Sequence, residues 1–373
     1  RIIRNRGIEG EAAIDRYLNG TLDDLYDPIL LKDMERAVSI LCEAVDTGKK
    51  IRIVGDYDID GVCSTYILLQ AFERLGSDVD FEIPDRIKDG YGINESIIEQ
   101  AHADGVEVIL TCDNGISAFH QVELAKKYGM TVVITDHHEV PLDGEKEKIP
   151  PADAVIDPKQ ADCPYPFPEI CGAVVAYKLV QVLYARRGVP RMEWLDLLEF
   201  AAIATVGDVM KLQDENRILV KYGLKKMAQT KNLGLRRLAE KNNLDLGAIT
   251  AYHIGFVIGP CLNAGGRLKT AKEALALLRA QSEEEAERLA EELKELNDTR
   301  KDMTEQGTEA AKLQVESWYQ KDKVLVVFLP ECHESLAGII AGRLREYYQK
   351  PAIVLTRGEE SVKGSGRSIC LKS

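Results

Sequence analysis

Five short runs rich in valine and isoleucine recur between residues 51 and 158: "IRIVGDYD", "DVDFEIPD", "VEVILTCDNG", "TVVITDHHE" and "ADAVIDP". Such β-branched runs read as strands. Helical patterns separate several of them, among them "STYILLQAFERLG" and "SAFHQVELAKKYG", each ending in glycine. Strand and helix in alternation dictate an α/β fold with a parallel sheet covered on both faces.

The polar residues that close these runs carry the chemistry. Asp56, Asp58 and Asp60 follow "IRIV" at alternating positions. In an extended exit from a buried strand, alternate side chains point the same way and would converge on one site. Three carboxylates there need a cation. Gly61 would then permit a tight turn into the next helix. Asp113 closes "VILTCDNG", and Asp136, His137 and His138 close "VVITDHHE". In open parallel sheets, ligands bind beyond the carboxyl ends of the strands. Asp208 adds an acid after the apolar helix "AAIATVGDVMKL". A single strand-end Asp is usually a cap or turn residue, and so is Asp208 on its own context. Five such groups at equivalent positions are not explained as caps. Carboxylates with one or two imidazoles suit Mn²⁺ or Mg²⁺, and no thiolate is placed to favour zinc. A calcium loop starting at Asp56 is excluded, because its twelfth position is Ile67 and a strand precedes it.

At 373 residues, two domains are expected. Residues 172–300 read as mainly helical. The stretch "SEEEAERLAEELKELNDTRKD" places Ala286, Leu289, Ala290, Leu293 and Leu296 on one stripe. Its charged faces predict a solvent-bridging connector. A second, smaller α/β domain begins near residue 320, with "KVLVVFLP" and "PAIVLTR" flanking "LAGIIAGRLREYYQ". The expected divisions are 1–280 (with a helical extension over about 172–280), a connector helix over 281–319, and an incomplete domain over 320–373. The net charge of −13 argues against a nucleic-acid binder. The distribution qualifies that: between Arg217 and Lys272, eleven Lys and Arg face two acids, Glu240 and Asp245. No apolar stretch would cross a bilayer and no signal peptide is evident. Eight scattered cysteines suit reduced thiols in a cytoplasmic protein.

"DYDIDG", "TCDNGIS", "TDHHE" and "TVGDVMKL" resemble, in order, the four motifs of the DHH phosphoesterase superfamily. "GPCLNAGGRL", "HESLAGIIAGRLRE" and "GSGRSI" narrow the resemblance to the single-stranded-DNA-specific exonucleases of the RecJ type, the last two lying in the DHH-associated domain. The resemblance spans nearly the whole chain. It implies a two-metal phosphodiester hydrolase using Mn²⁺ or Mg²⁺ and degrading single-stranded DNA from 5′ to 3′ in repair and recombination. It implies that Asp58, Asp60, Asp113, His137 and Asp208 are metal ligands, with Asp56 a further ligand or a close neighbour. It makes His138 the group facing the scissile phosphate and Asp136 the residue that orients the histidines. Two metals about 3.5–4 Å apart suit an in-line displacement.

The second domain would hold substrate. Gly366, Arg367 and Ser368, in a glycine-rich turn, would form an anion nest; an ordinary Gly-Ser hairpin is the alternative. Arg267, read as lying in a turn before a helix, and His333 would reach phosphates; a lone His is also a common cap. The basic 217–272 segment would line the entry channel. Tyr222, Tyr252 and Phe256 are candidates for base stacking and equally for the core. A single-stranded-DNA-binding protein and a RecQ-type helicase are the partners the resemblance suggests; a monomer is expected. The fourth motif departs from the family with "GDVMKL", which affects the local loop shape. The chain reads as a truncated catalytic core. Alternatives are a phosphodiesterase for short oligonucleotides or cyclic dinucleotides, a pyrophosphatase (disfavoured by Val54) and a non-catalytic replication scaffold.

Overall fold

The computed structural model describes residues 3–86, 90–358 and 361–369. Five parallel strands form the main sheet in the order β2-β1-β3-β4-β5: β1 (Ile51–Val54), β2 (Val79–Glu82), β3 (Val108–Cys112), β4 (Thr131–Thr135) and β5 (Ala154–Ile156). All five expected strands are present, and the sheet is parallel throughout. Strand alternation sorts the side chains onto two cores. Ile53, Leu110 and Val133 face one core, which includes α1 (Ile59–Arg74). Ile109, Val132 and Ile134 face the other, covered by α2 (Glu95–Ala103) and α3 (Phe119–Lys127). Each fully buried Ile or Leu contributes about 1.5–3 kcal/mol.

Helix α1 is buried on nearly every side because further helices cover its back: α4 (Gly172–Arg186) and α5 (Leu198–Gly207). Downstream lie α6 (Leu233–Lys241) and α7 (Gly259–Leu268), then the 32-residue α8 (Glu283–Gln314). A helix of that length spans about 48 Å. Its first half buries Ala286, Leu289, Ala290 and Leu293 against α6 and α7. It is therefore a packed element there and does not bridge solvent. Leu296, expected on the same stripe, is only partly buried.

The second half of α8 buries Thr304, Thr308 and Ala311 and adjoins α9 (Ala337–Tyr348). A three-stranded sheet in the order β8-β7-β6 completes this unit: β6 (Leu325–Phe328), β7 (Ala352–Arg357) and β8 (Val362–Arg367). Two sequence expectations fail here. Residues 364–367 form no glycine-rich turn: they are strand β8, antiparallel to β7, with Gly364 opposite Leu355 and Gly366 opposite Ile353. A Cβ on Gly364 would lie 2.5 Å from Leu355 Cδ2, so that glycine makes room for cross-strand packing. "GPCLNAGGRL" is not a turn either: it is α7, with Pro260 in its first turn where proline is tolerated. Among the described residues, no helix is long and apolar enough to cross a membrane.

Candidate metal centre

The centre lies beyond the carboxyl ends of β1, β3 and β4. After β1 the chain runs through Asp56, which is buried, to Asp58 at the N-cap of α1. Asp58 Oδ1 accepts hydrogen bonds from the amides of Asp60 (2.8 Å) and Gly61 (3.1 Å). Asp60 already lies in the first helical turn. The three aspartates therefore do not share an extended strand. Their convergence comes from a strand exit followed by a helix start. Gly61 is not a turn residue either: it is helical, and a Cβ there would sit 2.4 Å from the Asp56 carbonyl oxygen.

Helix α4 fixes Asp60 from a distant part of the chain. The amides of Gly172 and Ala173 each donate to its carboxylate at 2.7 Å. A helix N-terminus is a natural anion anchor. A Cβ on Gly172 would lie 2.7 Å from Asp113 Cβ, so the same glycine lets α4 approach two acids. Asp113, at the end of β3, is almost fully buried and adopts φ +62°. Such strain in a non-glycine residue marks a position held for a purpose.

After β4, Asp136 turns inward. Its Oδ1 accepts from the amide of His137 (2.7 Å) and lies 2.8 Å from His138 Nδ1, while Oδ2 accepts from the Ile116 amide (2.9 Å). His137 Nε2 lies 3.0 Å from Asp113 Oδ1, 3.4 Å from Asp60 Oδ2 and 4.0 Å from Asp208 Oδ2. Asp208 caps the C-terminus of α5, and Val209 after it takes φ +58°. Three overlapping groups emerge: Asp56, Asp58 and Asp113; Asp60, His137 and Asp208; Asp113, His137 and His138.

The electrostatics call for cations. Burial, with Asp58 beside it, pushes Asp56 up to about 7. Burial and the neighbouring Asp60 and Asp58 push Asp208 up to about 7. Asp113 is raised well above the carboxylate range by burial and by four other acids, and its Oδ1 is buried without a hydrogen-bond partner. Burial holds His137 below its usual range, keeping the neutral imidazole that metals require. These donors fit hard or borderline divalent ions. His138 behaves oppositely: burial lowers its pKa, but the Asp136 carboxylate prevails and raises it to about 9. Asp136 stays below its usual range, because His138 and the amides outweigh burial.

The substrate candidates are less uniform. Arg267, on the last turn of α7, donates to the Ser335 carbonyl at 3.2 Å. A Cβ on Gly266 would lie 2.3 Å from the Tyr57 carbonyl oxygen, so α7 packs directly on the first acidic motif. His333 caps the turn before α9, with Nδ1 2.7 Å from Ser335 Oγ, and does not join the carboxylate groups. Gly366 is a ladder residue. Arg367 donates to the Gly366 carbonyl at 2.8 Å, and a Cβ on Gly338 of α9 would meet its Nη2 and Ser365 Oγ, both at 3.0 Å. Ser365 therefore faces α9, whereas Ser368 lies past the strand on the surface.

Much of the basic 217–272 segment is engaged in ion pairs. Lys226 and Lys231 pair with Asp196; Arg236, Arg237 and Lys241 pair with Glu283, Glu287 and Glu291 of α8; Lys269 and Lys272 pair with Glu273 and Glu82. Three of these cations, Arg236, Arg237 and Lys241, are matched by the acidic first half of α8. Tyr222 is half-buried against the core, whereas Tyr252 and Phe256 are exposed. Sequence reasoning missed Tyr91, whose hydroxyl donates to the Asp113 carbonyl (2.8 Å) and lies 3.0 Å from His138 Nε2. It missed Arg86, whose guanidinium sits 4.9 Å from the Tyr57 ring centroid. Both fall in a loop after β2 with no periodic pattern to flag it.

The family model of the DHH family, N-terminal domain, matches residues 50–205. The solved exonuclease RecJ bound to manganese superposes with a TM-score of 0.80 at 33% identity, over 91% of this chain and 83% of that one. The chain belongs to the RecJ family. A RecJ from Thermus thermophilus, solved with Mg²⁺, matches at 30% identity and a TM-score of 0.72, over 98% of this chain and 48% of that one. The single-stranded-DNA-specific exonuclease RecJ of Bacillus subtilis is 38% identical over 99% of this chain. The chain spans 46% of the length of that RecJ.

Proposed function

We propose that this chain is the catalytic core of a metal-dependent exonuclease that degrades single-stranded DNA from its 5′ end to mononucleotides. The carrying observation is the convergence of six ligand candidates, Asp56, Asp58, Asp60, Asp113, His137 and Asp208, in overlapping groups at the edge of the sheet. These residues would hold two Mn²⁺ or Mg²⁺ ions, the ions present in the solved relatives. Bound divalent ions supply Lewis acidity and neutralise charge at the phosphate.

The chain's own residues supply the remainder. Water's oxygen bonds to phosphorus, and the bond to the 3′-oxygen of the terminal nucleotide breaks. His138, held protonated by Asp136, places a donor at the phosphoryl oxygens or gives the leaving oxygen its proton. The Tyr91 hydroxyl lies 3.0 Å from Nε2 of that imidazole and would hold the ring until substrate takes over this donor. Arg267 bridges the first acidic motif and the second unit, and Arg367 with Ser365 sits by the N-terminus of α9, a suitable place for a terminal phosphate. Residues 281–319 as connector and 320–373 as substrate-binding domain accord with this. A single-stranded-DNA-binding protein and a RecQ-type helicase as partners rest on the resemblance alone, and co-purification with each tests them.

The test is incubation with Mn²⁺ and a long single strand labelled at its 3′ end, beside a 5′-phosphorylated dinucleotide and a duplex. Progressive shortening of the strand from its 5′ end, absent in Asp113→Ala and His138→Ala, is expected. Cleavage of the dinucleotide alone would transfer the reading to a short-oligonucleotide phosphodiesterase. Metal binding without cleavage of any substrate would favour a scaffold.

A further inference from the structure

A polar cavity of about 350 Å³ opens at the end of α5 remote from the metal centre. Glu199, in the first turn of α5, lines it nine residues before Asp208, about 14 Å away along the helix axis. Glu199 is only 3% exposed. Its Oε1 accepts from Thr230 Oγ1 at 2.7 Å, whereas its Oε2 is buried without a hydrogen-bond partner. Burial pushes the carboxyl up to about 7. A buried carboxylate oxygen left unmet costs more than an ordinary hydrogen bond is worth, so such an atom calls for a donor.

The surroundings indicate what brings that donor. Tyr66 and Phe200 line the cavity with Glu199, their rings packed 4.3 Å apart. The Tyr66 hydroxyl accepts from Asn232 Nδ2 at 3.1 Å and keeps its own proton to give. The Asn232 amide has no donor to spare, because Nδ2 also donates to the Leu278 carbonyl at 2.7 Å. The buried wall thus offers one acceptor and one donor beside two aromatic rings. The more exposed wall is cationic: Lys226 and Lys231 share Asp196, and Arg279 pairs with Glu73. Such partly exposed pairs hold their cations weakly, so an entering phosphate can recruit them. The volume lies at the lower end for small-molecule sites. The edge of a nucleobase sets a donor beside an acceptor, and one 5′-phosphate completes the charge match.

We infer that this cavity binds a deoxynucleoside 5′-monophosphate, with the base on Glu199 and Tyr66 and the phosphate on Lys226, Lys231 and Arg279. The choice of ligand rests on the exonuclease reading, of which a mononucleotide is the product. The inference goes beyond that reading by giving the product a second site, separate from the metal centre. Both helices that line it, α1 and α5, also carry metal ligands, so the product would dock on the frame that holds the centre.

The experiment is titration calorimetry in EDTA with each of the four deoxynucleoside 5′-monophosphates and with inorganic phosphate. At least one mononucleotide should bind one-to-one with a Kd below about 1 mM, and at least about ten-fold tighter than phosphate. Glu199→Gln and Tyr66→Phe should each weaken it about ten-fold. Lys231→Ala, whose parent side chain is 83% exposed, should weaken it about three-fold. Asp113→Ala should bind as the wild type does. No mononucleotide binding overturns the site. Equal affinity for phosphate overturns the nucleotide and leaves an anion site only. Loss of binding in Asp113→Ala returns the ligand to the metal centre and also overturns the inference. If melting shows that Glu199→Gln does not fold, Tyr66→Phe and Lys231→Ala decide, and unchanged affinity in both overturns the site. Cleavage of the 3′-labelled strand in Mn²⁺ is read on the same preparations. A wild type that binds the mononucleotide but cuts nothing sinks the exonuclease reading and leaves the cavity standing. One that cuts the strand but binds no mononucleotide sinks the cavity alone.

Discussion

Nε2 of His137 lies 3.0 Å from Oδ1 of Asp113, with both side chains buried. A charged imidazolium could explain the contact, but burial holds His137 in its neutral form. A neutral imidazole meets a carboxylate either by donating Nε2–H or, through its lone pair, by sharing a cation, and the second arrangement suits a centre where Asp60 and Asp208 also converge on His137.

Replacing Asp113 by Asn should therefore separate binding from stability. Affinity for Mn²⁺, read by calorimetry, should fall at least about ten-fold, and cleavage should be lost. The metal-free variant should melt no lower than the wild type, because a like-charge repulsion has been removed. A metal-free melting temperature clearly below wild type would show that Asp113 serves the fold instead.

The metal-free protein should lose stability as pH rises. Asp56 and Asp208 titrate at about 7 in the folded chain against 3.8 for the ordinary carboxyl. The native state then binds more protons than the unfolded state between about pH 4 and 7, so the free energy of unfolding falls across that window. A loss on the order of a few kcal/mol is expected between pH 5 and 8 in EDTA. Saturating Mn²⁺ should flatten the dependence. Urea denaturation at both pH values checks it, and stability rising with pH in EDTA would contradict it.

Asp136→Asn should act through His138. The carboxylate raises that imidazole to about 9. Without it, the protonated form is lost at lower pH, and the alkaline limb of the kcat profile should move down by one unit or more. A fall in kcat of about 10- to 100-fold is expected. An unmoved alkaline limb would mean that His138 is not the titrating donor.

Gly266→Ala should destabilise the chain by about 1–3 kcal/mol, because the new methyl would lie 2.3 Å from the Tyr57 carbonyl oxygen and neither backbone can yield freely. Thermal melting reads it directly. A melting temperature equal to wild type would show that α7 does not press on the first acidic motif.

Arg237→Ala should leave KM for a long strand within about two-fold and its salt dependence unchanged. Its guanidinium is taken up by Glu240 and Glu283, and such exposed pairs are worth little. A salt slope reduced by about one would restore the basic segment to the DNA path.

The acids that end β1, β3 and β4 were legible because strand ends in a parallel sheet point to one edge, so local pattern alone carries their meeting. Asp208 was legible only through its motif, since an acid closing a helix is ordinary. The helical state of residues 259–268 and the strand state of 362–367 were not legible. Glycine signals a turn locally, whereas here Gly266 and Gly364 are required by the close approach of Tyr57 and Leu355.

What the sequence determined by itself was therefore the α/β alternation, the edge at which charge gathers, and the family. Each depends on residues near one another in the chain. The tertiary structure alone decided how Asp60 is anchored by α4, which of Ser365 and Ser368 faces α9, and whether the basic segment is free. Charge on a segment is local, but its neutralisation depends on what folds against it, and Glu283, Glu287 and Glu291 arrive from a helix the basic residues do not foretell.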